Sequence, residues 1–249
     1  LSIVKNRRST EFRNIKEVLY KTQSDLEKLA ATKGEITGLP TGFYDFDFNS
    51  DDGVIAKNWG VAEVFYLRNL RSRKLYLSDD IDECIIDSVV RHILQYNADD
   101  KDIPVEERKP ILLYVSSNGG SIDPGFELVD VIIESKTPVY TINLGYQYSM
   151  GFLIGLAGHK RYASKTAKFL MHDGTNFVIN SGAKAQDQME FNKRIEQRIK
   201  EYVLSRSKIT SEEYDSKLRV EWYLFADEAK EKGFCDYIIG EDCSLDDIV

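Results

Sequence analysis

Three short stretches carry residue types that could act together on an acyl group. Tyr146-Gln147-Tyr148-Ser149-Met150-Gly151 places a serine at a small-residue turn that feeds an apolar run reaching Ala157. Phe169-Leu170-Met171-His172-Asp173 is an apolar strand pattern ending in a histidine. Ile111-Leu112-Leu113-Tyr114-Val115-Ser116-Ser117-Asn118-Gly119-Gly120 is an apolar strand pattern that runs into a glycine pair. A hydroxyl nucleophile, an imidazole base and a backbone loop able to donate N–H groups are the parts that acyl transfer to serine requires. Each motif alone is weak; their order and spacing together are the signal.

The elements needed to position them follow from the patterning. Val61 to Leu67 has strand composition, and Lys74 to Leu77 forms a short strand. Apolar residues on one face predict a helix from Asp82 to Gln95, with His92 beside that face as a surface or core-edge histidine. The continuous apolar run Ile111–Val115 suits a strand covered on both sides. A helix is expected over Pro124–Glu134, a strand over Val139–Asn143, the serine turn with its helix to Ala157, and strands at 161–163 and 168–172. Phe177–Ile179 is a further strand candidate. His159 reads as a loop histidine. This alternation of strand and helix with short connections predicts a mixed α/β domain of stacked β-β-α units.

From Ala183 to about Ser205 the pattern is one long, charged helix. Its thin stripe of Met189, Phe191, Ile195, Ile199, Tyr202 and Val203 predicts a helix that projects and packs on a neighbour. Thr210-x-x-Glu213 is a capping box opening a short helix. Ala226–Lys232 is another, stopped by Gly233. The acidic tail from Glu241 is expected to be loose.

The chain has 249 residues, 42% hydrophobic and 30% charged, with a net charge of −8. That is a globular composition, and the acidic balance argues against a protein that coats nucleic acid or an anionic membrane. No apolar run approaches the ~20 residues of a membrane span, and no signal-type apolar region opens the chain. Cys84, Cys235 and Cys243 have no metal-ligand spacing and read as incidental thiols of a reducing, cytoplasmic setting. No metal and no cofactor is expected.

Residues 1–48 differ from the rest. Phe12, Ile15, Leu19, Thr22, Leu26 and Leu29 form a narrow stripe on one helix from about Thr10 to Ala31, and the glycines and proline of 34–42 make a loop. The run from Phe12 to Asp47 resembles the linker segment of a DnaB-type replicative helicase. No G-x-x-x-x-G-K-[ST] follows, so nothing implies ATP chemistry. A docking helix and a relic without a role are both compatible with this segment. Residues 49–60, including Trp59, read as a junction before a main domain at 61–249.

Over roughly residues 61–240 the chain resembles the proteolytic subunit of the Clp (caseinolytic) protease. "LLYVSSNGGSI", "GYQYSMGFLIGLAG", "KRYASKTAKFLMHDG" and "EWYLFADEAKEKGFCD" carry the likeness. The resemblance implies a spiral of β-β-α units of the kind also found in crotonases, with the long helix as a projecting handle. It implies Ser149 as nucleophile, His172 as general base, the N–H groups of Gly120 and Met150 as oxyanion hole, and Gly119 and Gly120 as the backbone that meets substrate. It sets Glu221 where the family has aspartate. Glutamate can orient an imidazole, but its extra methylene has to be accommodated. Asp173, adjacent in sequence, points to the opposite face of its strand and is a poor substitute. Asn118 replaces a proline before the glycine pair, which predicts a less rigid loop. Tyr148 replaces a small residue before the serine, which predicts a narrowed pocket. The function implied is an ATP-independent endopeptidase that cleaves unfolded polypeptides inside stacked seven-membered rings, fed by a separate AAA+ unfoldase. The alternatives are a weakly active or inactive subunit of a mixed ring, and a helicase-associated interaction module.

Overall fold

The structure is a computed structural model, and it describes residues 61–174 and 181–248. The chain divides into two units, Leu1–Tyr66 and Leu67–Val249. The first is described only from residue 61, so the N-terminal helix, the junction with Trp59 and the strand expected at 177–179 all lie outside the described residues.

The elements are α1 (Val61–Arg71), β1 (Lys74–Leu77), α2 (Arg91–Asp99, preceded by a π turn at Ile86–Val90), β2 (Ile111–Val115) and α3 (Ile122–Glu134). Then come β3 (Val139–Asn143), β4 (Tyr146–Tyr148), α4 (Met150–Leu156), β5 (Lys160–Ser164) and β6 (Lys168–Met171). The chain continues with α5 (Gly182–Arg206), α6 (Ser211–Lys217), β7 (Trp222–Phe225), α7 (Ala226–Glu231) and β8 (Tyr237–Ile239). The strand composition of 61–67 is misleading, because this segment is the start of a helix. Leu67 and Leu70 fall three apart on it, Leu70 packs against the core, and Arg68 and Arg71 close its last turn, where cations suit the negative end of the helix.

Five strands form one sheet in the order β1-β2-β3-β5-β8, every neighbouring pair parallel. A second sheet has the order β4-β6-β7, with β4 parallel and β7 antiparallel to β6. The apolar run of β2 is buried on both sides, as parallel strands require. Ile111, Leu113 and Val115 enter the main core with α2, α3 and α4, while Leu112 joins Ile142, Tyr162 and Ile248 in a smaller cluster on the other face.

Every residue of α4 is buried, and its position is set by polar ties as well as packing. Thr141 Oγ1 donates to Gly155 O at 2.6 Å, Tyr202 Oη donates to Leu153 O at 2.8 Å, and Arg206 Nη2 donates to Ala157 O and Gly158 O. The C-terminal end of α5 thus satisfies the last carbonyls of α4. Val203 is the one buried residue of the 25 in α5, whereas Met189 and Phe191 are exposed. Thr210 Oγ1 caps the Glu213 N–H at 3.2 Å, but Glu213 turns its carboxylate to Lys232 and leaves the box half made. The C-terminal tail is not loose: Asp242 accepts from the Ile238 N–H and Ile248 is buried.

Candidate active site

Ser149 is the single residue between β4 and α4. Its backbone sits at φ 53°, ψ −120°, a region that non-glycine residues enter at a cost of about 1–3 kcal/mol. The junction is over-determined. The Ser149 N–H donates to Leu170 O at 3.0 Å, and Ser149 O accepts from the N–H groups of Phe152 and Leu153. Gly119 presses against it from behind at φ 101°. A Cβ there would fall 2.7 Å from Ser149 Cβ and 2.9 Å from Tyr148 O, so only glycine fits.

The loop carrying Gly119 and Gly120 is well held despite Asn118. Ser117 Oγ donates to Asp79 O at 2.6 Å and accepts from the Gly119 N–H at 3.1 Å. Ile81 N–H donates to Gly119 O, and Ser121 N–H donates to Ile81 O. These bonds supply the rigidity expected to be missing without a proline. Gly120, at φ 148°, leaves no room for a Cβ beside Ile81 O. Neither the Gly120 N–H nor the Met150 N–H finds an acceptor among the described residues.

His172 follows β6 and Glu221 precedes β7. The antiparallel register pairs Met171 with Trp222, and one further step sets His172 opposite Glu221. Their side chains meet with Nδ1 2.9 Å from Glu221 Oε1, so the longer glutamate does reach the ring. Asp173 is exposed, and its N–H donates to Leu218 O. Glu221 is 56% exposed and His172 26%.

Ser149, Met150, His172, Asn118 and Gly120 all line one cleft of about 700 Å³. No hydrogen bond joins Ser149 Oγ to His172 among those found between the described residues, so the serine end of the relay is open. Tyr148 is absent from the described lining. Its ring packs against Tyr146 at 5.2 Å and Tyr223 at 5.9 Å, so it does not narrow the cleft.

Sequence reasoning missed several features, the strands β4 and β8 among them. Gln188, Asn192 and Glu196 of α5 line the far wall of the cleft; their spacing of four residues is a helical stripe that was legible. The strand β7 was also missed, although Trp222-Tyr223-Leu224-Phe225 is strongly strand-like in type.

The remaining titratable groups have structural surroundings. His159 Nδ1 accepts the Val139 N–H at 3.1 Å, and burial pulls its pKa down. Burial pushes the Cys235 thiol up to about 12, which makes it unreactive. Among the described residues no group of three or more His, Cys, Asp and Glu is arranged to hold a metal ion. None of their helices is long and apolar enough to cross a membrane.

Two comparisons bear on this site. The Clp protease family model matches residues 60–242. The proteolytic subunit 2 of the ATP-dependent Clp protease of Treponema pallidum is 26% identical over 184 residues, covering 73% of this chain and 89% of that protein.

Proposed function

The chain belongs to the Clp protease family, and on that premise we propose that it is a serine endopeptidase subunit working through Ser149, His172 and Glu221. The observation that carries the reading is the 2.9 Å contact between His172 Nδ1 and Glu221 Oε1, at the mouth of a cleft that also holds Ser149. With the ring proton on Nδ1, donated to Glu221, Nε2 is left to accept. Ser149 Oγ attacks the scissile carbonyl as His172 takes its proton. The ring returns that proton to the leaving amine, giving an acyl-serine and a free amino terminus. A water activated by the same imidazole then releases the acid. Glu221 stabilises the imidazolium without itself being protonated. The N–H groups of Gly120 and Met150 stabilise the tetrahedral oxyanion, a role worth about 10²- to 10³-fold per donor.

The substrates are unfolded polypeptides delivered by an AAA+ unfoldase, and the working form is a homo-oligomer of stacked heptameric rings in the cytoplasm. The exposed apolar residues Met189 and Phe191 on α5 support that helix as the handle between rings. Residues 1–48 would be an appendage to this domain.

Replacing Ser149 with alanine is expected to abolish both cleavage of fluorogenic peptides and labelling by a fluorophosphonate. A wild-type chain that does neither, in any oligomeric form, overturns the reading. The open Ser149–His172 gap and the exposure of Glu221 favour one rival, a weakly active structural subunit of a mixed ring. Glu221→Asp separates the two: a large gain in rate points to an impaired triad, and a loss points to a site adapted to glutamate.

A further inference from the structure

We infer that the cavity between β5, the C-terminal end of α5 and α7 is a binding site for a polyvalent phosphate anion. The site lies apart from the Ser149 cleft and stands whether or not the chain is a peptidase.

The cavity has a volume of about 720 Å³ and shares none of its described lining with the Ser149 cleft. Lys160, Arg161, Arg206, Lys208 and Lys230 line it, against a single carboxylate, Asp236. On a chain of net charge −8 that is a local reversal of sign. Two of these cations are matched: Arg161 pairs with Asp236 at 2.5 Å and Lys230 with Asp242 at 2.5 Å. The other three are not. Among the described residues no carboxylate pairs with Lys160, Arg206 or Lys208. Lys160 Nζ lies 5.1 Å from the centroid of the Tyr140 ring, a contact that leaves its charge in place. Arg206 donates from Nε and Nη2 to the carbonyls of Leu156, Ala157 and Gly158, which fixes the guanidinium without neutralising it. Burial first, and then the Arg206 charge, pull the pKa of His159 down, so the positive field reaches the wall beside Lys160.

Like charges held in one concavity repel one another, and the concave wall focuses their field on an entering anion. The donors select which anion. A planar carboxylate is best met by the fork of a free guanidinium. Both forks here are committed, that of Arg161 to Asp236, Arg206 O and Gly233 O, and that of Arg206 to the end of α4. What remains are ammonium groups, point charges with rotatable donors that suit the tetrahedral oxygens of phosphate. Three uncompensated charges match a chain of two or three phosphates better than one. Lys160 stands on β5, Lys208 just beyond α5 and Lys230 on α7, so such a ligand would also tie these three elements together.

The test titrates the full chain with sodium orthophosphate, pyrophosphate and tripolyphosphate by calorimetry at low ionic strength. Saturable binding is expected, tightening in that order. K160Q/K208Q should weaken tripolyphosphate about ten- to a hundredfold, as loss of hydrogen bonds to a charged group does. K184Q/K193Q removes the same charge from exposed positions of α5 outside the cavity and should weaken it less than about threefold. Lys160 and Lys208 are exposed as well, so both variants should keep the wild-type circular dichroism. Tripolyphosphate should raise the melting temperature of the wild type and leave that of K160Q/K208Q unmoved. Equal weakening in the two variants, no saturation, or orthophosphate binding as tightly as tripolyphosphate overturns the inference. ATP and adenosine separate the sources of the anion. ATP as tight as tripolyphosphate, with adenosine inert, supports a nucleotide's phosphate chain, and weaker ATP supports a free one. Adenosine binding as tightly as ATP overturns the phosphate assignment.

Discussion

Of the carboxylates that meet a cationic or imidazole nitrogen at short range, Asp100 and Glu221 have contrasting surroundings. Asp100 is 2% exposed in its side chain and its pair with Arg73 joins the end of α2 to the start of β1. Arg73 Nη1 and Nη2 donate to its two oxygens, and Thr137 Oγ1 adds a third donor at 2.9 Å. The guanidinium also donates to Lys109 O and lies 5.2 Å above the Tyr96 ring. Glu221, 56% exposed, holds His172 by one contact beside the open cleft. A buried, saturated pair fixes one arrangement, because any other leaves a charge without partners. A solvated pair with a proton to move can change state at small cost. Saturation marks the structural pair and openness marks the candidate chemical one.

The contrast can be broken most forcefully at Glu221. Glu221→Ala is expected to lower kcat by about 10⁴-fold, as loss of the orienting carboxylate does, while thermal unfolding stays within a degree or two. A steady rate, or a collapsed fold, would erase the distinction. Asp100→Asn should do the opposite. It takes the charged acceptor from a half-buried guanidinium and costs about 1.5–3 kcal/mol of folding stability, read by urea unfolding, with kcat preserved in whatever fraction stays folded.

The pH dependence of unfolding sharpens the same point. The hydrogen bond from Arg73 is the largest cause holding the Asp100 carboxyl below its ordinary range, with Thr137 assisting. A depressed acid contributes stability that is complete above the unfolded value near 3.9 and disappears as pH falls through the lower folded value. The stability gap between wild type and D100N should therefore narrow below about pH 4, and a gap constant from pH 7 to pH 2 would refute the assignment. The smallest expected effect is at Thr137→Val, which removes one donor among several and should cost about 1 kcal/mol. A loss as large as that of D100N would mean the threonine, not the arginine, carries the pair.

How far all this was legible depends on separation along the chain. The glycine loop, the serine turn and the helix after it are local events, written in apolar runs interrupted by small residues, and they stand where those runs place them. The N-terminal turns of the domain were misread because Val, Phe and Tyr favour strands, whereas Leu67 and Leu70 at helical spacing make the segment a helix. The tail was misread because acidic composition says nothing of one isoleucine finding a hydrophobic socket with Leu112, Ile142 and Tyr162.

The sequence by itself determined which residues could act, Ser149 and His172 foremost, and the strand–turn–helix pattern that presents the serine. Only the tertiary structure decided that a carboxylate 49 residues beyond His172 in sequence touches its ring, and that the Tyr148 ring meets Tyr223. The physical reason is that both facts depend on β6 pairing with β7 in one register. A shift of a single residue in that pairing would send each of these side chains to the other face of the sheet.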